Sequence, residues 1–190
     1  MALRLDFVDV VGVVGSTALR LGVAVLALAA AGVLAASALA TSRSERSLQT
    51  LNRQVLTAVN KFRAAHGLVP LRESRGLDRS ARQHSLEMGK DGYFGHSSAD
   101  GTSFWRRIQR YYGSGGHGYW SVGENLLWGA PTVSAGRAMT MWIASPEHRR
   151  NLLTSQWRQI GISAVQVVRA PGIFHGQRVT IITTDFGVRR

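Results

Sequence analysis

The chain has 190 residues and no cysteine, which excludes disulfides, thiolate nucleophiles and cysteine-ligated metals. Its 23 Lys and Arg residues outnumber its 11 Asp and Glu residues and give a formal net charge of +12. This balance fits either a solvated basic surface or attraction to an anionic envelope polymer or lipid head group. The sequence shows no motif of nucleic-acid-binding proteins, so we expect no nucleic acid partner.

The first 40 residues differ in character from the rest of the chain. Leu21 to Ala38 form an uncharged apolar run, preceded by Arg4 and Arg20 and followed by an A-x-A pattern that ends at Ala40. These features predict a secretory signal peptide over residues 1–40. The run also reaches the lower limit for spanning a bilayer, so an uncleaved signal anchor is the alternative.

Both alternatives place the rest of the chain outside the cytoplasm, either secreted or in the cell envelope. Membrane contact is then expected only through residues 21–40, and only if that segment is not cleaved. Residues 41–50 are predicted to form a polar linker, and residues 51–188 a single domain of a size that buries a real core. We expect this domain to be a monomer.

The first half of the domain has helical periodicity. Leu51, Val55 and Val59 recur every four residues, which predicts a helix that ends at Gly67. The same periodicity predicts a helix over residues 75–90 and another that starts at residue 102 or 103. A fourth helix follows Pro131, and a short fifth helix opens at Ser145.

The end of the chain changes to an alternating pattern. Apolar residues alternate with small or polar ones over residues 160–164 and again over residues 179–184, which predicts two antiparallel strands. Residues 120–128 are a third strand candidate. Helices first and strands late predict an α+β fold built in layers, rather than an alternating parallel sheet.

Glu124 is the first of three polar residues in apolar surroundings. If residues 120–128 are extended, Glu124 shares one face with Trp120, Val122, Leu126 and Trp128. A buried carboxylate without a partner costs several kcal/mol or becomes protonated. Glu124 therefore requires either backbone N–H groups or a cationic or metal partner.

Two histidines complete the set of candidate residues. Ser145 and Pro146 are typical of a helix start, and His148 follows in the first turn, where the helix dipole favours a neutral imidazole. His96 precedes the turn "SSADG" and is predicted to lie in a loop between helices. Each histidine has an ordinary alternative, a hydrogen bond to a neighbouring loop or simple exposure. Sequence spacing alone does not show that the three residues converge.

Five segments together resemble the CAP superfamily, the SCP-like extracellular proteins, in its bacterial cysteine-free branch. They are "NKFRAAHGLVPL", "YFGHSSADGTSFWRRI", "VGENLLWG", "MWIASPEHRRNLL" and the closing "TTDFG", in that order over about Leu51 to Val188. The resemblance implies a three-layer α–β–α sandwich with a central antiparallel sheet. It also implies a cleft in which His96, Glu124 and His148 meet.

The resemblance further implies structural, hydrogen-bonding roles for a set of polar residues: Asn60, Arg63, Asn125, Ser145 and Asn151. The chain departs from the family pattern at two positions. Val59 replaces the histidine of the first helix, and Ser145 occupies the position where many members carry a second glutamate. Any mechanism that needs two carboxylates supplied by the family motif is therefore in doubt.

Three functions are compatible with this cleft. His96, His148 and Glu124 are suitable ligands for a divalent metal such as Zn²⁺. The domain is alternatively a binding module for a lipid, an envelope polymer or a protein. A metal-dependent hydrolase of proteins or envelope components is the third reading. The sequence favours a binding module over an enzyme and assigns no catalytic residue.

Overall fold

The computed structural model describes residues 44–190, so the predicted signal segment lies outside the described residues. Helix α1 covers residues 44–64. The later elements, in chain order, are β1 Arg72–Glu73, α2 Arg75–Asp91, α3 Phe104–Tyr111, β2 Trp120–Gly129, α4 Ala135–Ala144, α5 Pro146–Leu152, β3 Gln159–Val167, a 3₁₀ turn Gly172–Phe174 and β4 Val179–Arg189.

Residues 44–50 are helical and belong to α1, although the sequence analysis assigns them to a polar linker. The physical reason is that Leu48 and Leu51 both pack against the main apolar core, so the buried stripe of α1 starts before the polar residues end. Within residues 44–190, no helix has the length and apolar character that crossing a membrane requires.

The strands form one sheet in the order β1-β3-β4-β2. The β3–β4 and β2–β4 pairs are antiparallel, whereas β1 adds a parallel pairing of only two residues to β3. The sheet is therefore antiparallel, as expected, except at this short edge. Strand β4 lies in the centre and is buried from Val179 to Val188.

Helices cover both faces of the sheet, which is the predicted three-layer α–β–α sandwich. Residues of α1, α4 and α5 pack against one face in a single apolar cluster that includes Ile160, Ile182 and Phe186. Residues of α2 and α3 pack against the other face, where Leu77 and Met88 are fully buried. These two surfaces are called the α1/α4/α5 face and the α2/α3 face below.

A glycine in β3 lets α2 lie directly on the sheet. A Cβ placed on Gly161 would come within 2.0 Å of the backbone carbon of Leu77 and 2.2 Å of the backbone nitrogen of Asp78. No side chain fits in that space, so the helix approaches the strand as closely as backbone atoms allow. This close approach sets the position of the α2 side chains that line the candidate site.

Candidate functional site

The centre of the candidate site is a contact between His96 and Glu124. Glu124 lies in the middle of β2 on the α2/α3 face and is buried, as the alternating pattern predicts. His96 lies in the loop between α2 and α3, and its side chain is 52% exposed. Nδ1 of His96 is 2.8 Å from Oε1 of Glu124. A buried carboxylate thus orients a half-exposed imidazole and leaves its Nε2 for another partner.

Arg107 supplies the positive charge that the buried Glu124 requires. It projects from α3, is fully buried, and its Nη2 donates to Oε2 of Glu124. Its Nη1 donates to the backbone oxygen of His96 at 3.1 Å and to Oγ of Ser98 at 3.2 Å. One guanidinium therefore fixes both the carboxylate and the loop that carries the histidine. Removing either member of this pair would leave a buried charge without compensation.

A second buried carboxyl group belongs to Asp185 of β4, which is paired with Glu124 of the neighbouring strand β2. Asp185 is fully buried, and within the described chain neither of its oxygens has a hydrogen-bond partner of normal geometry. Burial raises the pKa of Asp185 well above its usual range, and the adjacent Glu124 carboxylate raises it further. The protonated form of Asp185 is therefore favoured beside Glu124.

His84 holds the start of the His96 loop. It projects from α2, is fully buried, and its Nε2 is 2.8 Å from the backbone oxygen of Gly95. Because a carbonyl oxygen accepts, this ring nitrogen carries the proton. Burial is the main reason that the pKa of His84 is lowered. The loop is thus fixed by His84 before His96 and by Arg107 at His96 itself.

His148 lies in the first turns of α5 and is partly buried. Its pKa is lowered, mainly by burial and then by the neighbouring His96 imidazole, while Glu147 acts in the opposite direction. A charge on the His96 imidazole thus disfavours a charge on His148. The hydrogen bonds of the Glu124 carboxylate go to His96 and Arg107. The structure therefore joins His96 to Glu124 and places His148 near His96, not on the carboxylate.

Asn125 and Asn151 connect α5 to β2 and so position His148. Nδ2 of Asn125 donates to the backbone oxygen of His148 at 3.1 Å, and Nδ2 of Asn151 donates to Oδ1 of Asn125 at 2.9 Å. The indole N–H of Trp157 donates to Oδ1 of Asn151 at 3.0 Å. These amides form a continuous chain from the sheet to the helix.

Asn60 and Arg63 make similar connections far from the cleft. Asn60 exchanges two side-chain hydrogen bonds with the backbone of Leu71. Arg63 is fully buried and donates to the backbone oxygens of Val69, Leu152 and Thr154. Ser145 occupies the N-cap position of α5 but its side chain makes no capping hydrogen bond there. Its backbone oxygen accepts from Arg149 instead.

The residues expected to bind a metal do not form a three-ligand set. Within residues 44–190, no group of three or more His, Asp or Glu side chains is arranged to hold a metal ion. Both oxygens of Glu124 are taken by His96 and Arg107, so Glu124 fits the role of orienting His96 better than that of a ligand. Zn²⁺ binding by His96, Glu124 and His148 stays a prediction, and no reaction step is derived through a metal.

An open depression of about 600 Å³ adjoins His96. It is lined by the last residue of α2 and by residues of the α2–α3 loop: Asp91, Tyr93, Gly95, His96, Ser97, Ser98 and Ala99. The partly buried ring of Phe104, at the start of α3, lies 6.1 Å from the His96 ring, centre to centre. The half-exposed imidazole thus adjoins both the depression and an aromatic ring.

Arg107 and Asp185 are site residues that the sequence analysis does not identify. Arg107 lies between Phe104 and Ile108 on the apolar stripe of its helix. Asp185 lies on the same face of β4 as Thr183, the face that packs against α2 and α3. The sequence signal for such residues is a charged side chain at a position where the periodicity of the helix or strand predicts burial. The motif "TTDFG" contains Asp185, but its partner is identified only by the sheet register.

Comparison with known proteins gives one family match. The model of the cysteine-rich secretory protein family, CAP, matches residues 56–170. The chain is 29% identical over 126 residues to the uncharacterized protein YkwD of Bacillus subtilis, covering 66% of this chain and 47% of that protein. It is 30% identical over 114 residues to the uncharacterized membrane protein YlbC of the same organism, covering 60% of this chain and 31% of that protein. The chain thus spans less than half the length of these curated relatives.

Solved structures show the same fold. An extracellular protein with an SCP domain from Bacillus anthracis superimposes with a TM-score of 0.60 at 24% identity, covering 78% of this chain and 43% of that chain. An outer surface protein from Borrelia burgdorferi gives a TM-score of 0.55 at 20% identity, covering 71% of this chain and 90% of that chain. At these identities the likeness concerns the fold.

Proposed function

The chain belongs to the cysteine-rich secretory protein family, CAP, and we propose that it is an exported binding module whose ligand contacts His96 and His148. Export is proposed from the apolar segment at residues 21–38. It is supported by relatives described as extracellular, outer surface or membrane proteins. Mass spectrometry of the native N-terminus distinguishes cleavage after Ala40 from an uncleaved anchor. Recovery of the intact chain in the cytosol would contradict export.

The preference for a binding module rests on the state of the carboxyl groups, which counts against catalysis by a carboxylate base. Glu124 has both oxygens engaged by His96 and Arg107, and Asp185 is fully buried. A general base must reach the proton that it removes, either directly or through one water. Neither carboxyl group meets that requirement in this arrangement. The groups that the cleft offers to a ligand are the imidazoles.

The surroundings of His96 favour an amphipathic, lipid-like ligand with a polar head. Both imidazoles provide hydrogen-bonding groups, and that of His96 is held in place because Glu124 contacts its Nδ1 and because Arg107 and His84 hold its loop. The ring of Phe104 lies 6.1 Å from that of His96, and Phe94 and Trp105, which are close to these two residues along the chain, are exposed. A site with a few convergent polar groups and aromatic walls is typical of small-molecule binding.

A titration with a short-chain phospholipid below its micelle concentration tests this function, followed by tryptophan fluorescence. We expect His96→Ala and His148→Ala each to weaken binding by about tenfold or more, the loss of one or two good hydrogen bonds. His117→Ala is the matched control, because His117 is exposed in a glycine-rich loop. Equal affinity in all three variants would remove the cleft from the proposal.

The alternative is a metal-dependent hydrolase, and one observation favours it. A carboxylate that accepts from one ring nitrogen of a histidine is a common arrangement around metal-ligating histidines, and His96 and Glu124 have that arrangement. Calorimetry with Zn²⁺ on the wild-type chain and on a His96→Ala/His148→Ala variant tests it. Cleavage of casein, cell-wall glycan or an ester substrate that needs added Zn²⁺ and both histidines would favour the hydrolase over the binding module.

A further inference from the structure

One end of the sheet concentrates arginines at a distance from the His96 cleft. Strands β1, β2 and β3 begin at this end and β4 finishes there, since Arg72 pairs with Gln159, Gln159 with Gly187 and Trp120 with Arg189. Helix α2 also starts there, directly after β1. Six arginines lie at this end and define what we call the strand-end surface: Arg72, Arg75, Arg79, Arg158, Arg189 and Arg190.

The positive charge of the strand-end surface is not neutralised by ion pairs. Ion pairs within residues 44–190 include those of His84 with Glu87 and of His96 and Arg107 with Glu124. In this part of the chain, no ion pair is found for an arginine of the strand-end surface. Glu73 is an exposed carboxylate of β1 in this region. Asp78 in α2 is directed to the backbone N–H of Ile162 at 2.9 Å. The surface therefore keeps a large excess of positive charge.

Aromatic rings hold three of these guanidinium groups in place. Arg189 lies 4.3 Å from the ring centre of Tyr112 and donates to the backbone oxygen of Gly113. Arg190 lies 4.9 Å from the ring centre of Tyr119, and Arg79 lies 5.4 Å from that of Tyr111. A planar guanidinium held near a ring keeps N–H groups that can bind two oxygens of one phosphate. Ordering the side chains beforehand lowers the entropy cost of binding.

The arrangement is unfavourable for the protein alone. Like charges that share one surface repel each other, and Arg75 lies in the first turn of α2, where the helix dipole disfavours a cation. A local arrangement that opposes stability is expected at functional sites. An anionic partner would remove both penalties at once.

The dimensions indicate an extended partner. Four strand ends at a spacing of about 4.8 Å span about 14 Å, which exceeds the reach of a single small anion. Among the large hydrophobic residues that are exposed in the described chain, only Tyr119 belongs to this surface, and Arg190 lies against its ring. The surface therefore lacks the apolar anchors with which peripheral proteins enter a bilayer.

We propose that the strand-end surface binds a linear, phosphate-bearing polymer. The site is separate from the His96 cleft, and only the placement of the polymer in the cell envelope depends on the export proposed above. Binding is expected to be strongly salt-dependent, because each phosphate contact releases counterions from the polymer.

The test is binding of the full chain to long-chain inorganic polyphosphate at several salt concentrations. The variant Arg72→Gln/Arg75→Gln/Arg79→Gln/Arg190→Gln removes four charges from the surface. The control Arg106→Gln/Arg137→Gln/Arg169→Gln/Arg178→Gln removes four exposed charges elsewhere. Both variants change the formal net charge from +12 to 12 − 4 = +8. Circular dichroism and thermal unfolding check that each variant is folded.

We expect the strand-end variant to bind at least about tenfold more weakly at 100 mM salt, with a salt slope smaller by about 3. The control should lose less than about threefold, and His96→Ala/His148→Ala should bind like the wild type. Equal losses in the two arginine variants would overturn the proposal, because only net charge would then matter. Binding to phosphatidylglycerol vesicles that needs the four arginines, without binding to polyphosphate, would also overturn it and identify a membrane surface.

Discussion

The two faces of the sheet differ in what they bury. Against the α1/α4/α5 face lies one continuous apolar cluster that extends from Val55 in α1 to Trp142 in α4. The α2/α3 face carries two smaller clusters, one around Met88 and one around Leu77. A polar layer separates these two clusters: His84, Ser85, Arg107, Glu124, Thr183 and Asp185, all buried.

The comparison indicates that the two faces of the sheet have different roles. Apolar burial stabilises the fold by about 25 cal/mol per Å², and the α1/α4/α5 face carries the larger apolar cluster. Buried charges contribute little net stability even when paired, but they are costly to disrupt. The α2/α3 face contains such a pair, Glu124 with Arg107, and this pair holds His96 in a fixed orientation. Stability is therefore supplied mainly by one face, and the part of the candidate site around His96, Glu124 and Arg107 is built on the other.

The largest effect is expected from Arg107→Met, which breaks the polar layer. Glu124 would lose its cationic partner inside the protein, and the His96 loop would lose two hydrogen bonds. We expect the free energy of unfolding to fall by about 4–5 kcal/mol, measured by urea denaturation. Arg110→Met is the control on the exposed side of the same helix, with a change within about 0.5 kcal/mol. Similar losses for both variants would contradict the role of the buried pair.

Trp142→Ala tests the apolar α1/α4/α5 face and should have the second largest effect on stability. Trp142 is 1% exposed, and its indole N–H donates to the backbone oxygen of Leu126 at 3.1 Å. The variant leaves a large cavity and an unpaired carbonyl, so we expect a loss of about 3–4 kcal/mol in the free energy of unfolding. Trp105→Ala, at an exposed position, should lose less than about 1 kcal/mol. Unchanged ligand binding in folded Trp142→Ala protein would show that this apolar face stabilises the fold without affecting the site.

The two carboxyl groups of the polar layer should respond differently to neutralisation. Glu124→Gln leaves the Arg107 guanidinium without its carboxylate and should cost about 2–3 kcal/mol. Asp185→Asn replaces a carboxyl group whose raised pKa already favours the neutral form, so we expect a change below about 1 kcal/mol at pH 7. Parallel chemical denaturation of both variants measures the difference. A larger loss for Asp185→Asn would show that Asp185 is ionised and paired.

The smallest effect concerns Asp78, on the same helix as His84. Burial is the main cause that raises its pKa to about 6, Glu73 raises it further, and the N–H of Ile162 acts in the opposite direction. The native carboxyl thus binds a proton more tightly than the unfolded chain does. Its contribution to stability is present at low pH and is lost as the pH rises from about 4 to about 6.

The free energy of unfolding of Asp78→Asn, relative to that of the wild type, should therefore increase from pH 4.5 to pH 7.5. Because Asp78 is only partly buried, solvent screening limits the difference to about 1 kcal/mol or less. Urea denaturation of both proteins at the two pH values measures it. A difference that stays constant, or that changes in the opposite direction, contradicts the raised pKa of Asp78.

Local patterns in the sequence predict most elements of the fold because they depend on neighbours along the chain. The spacing of Leu51, Val55 and Val59 predicts α1, and the alternation around Glu124 predicts both β2 and the burial of that residue. Helix α1 starts at residue 44, inside the segment that is predicted as a polar linker, since polar residues at a helix end resemble a linker. The 3.6-residue period continues through Leu48, which packs against the core.

Composition and periodicity by themselves determine that this chain is a basic, cysteine-free α+β protein, with a carboxylate at an inward position of a strand. They do not determine its partners. Arg107 meets Glu124 because α3 lies against β2, and Asp185 is opposite Glu124 because of the β2–β4 register. His148 lies near His96 because two asparagines connect α5 to the sheet. Contacts between distant segments depend on strand order and helix packing, and only the tertiary structure decides those.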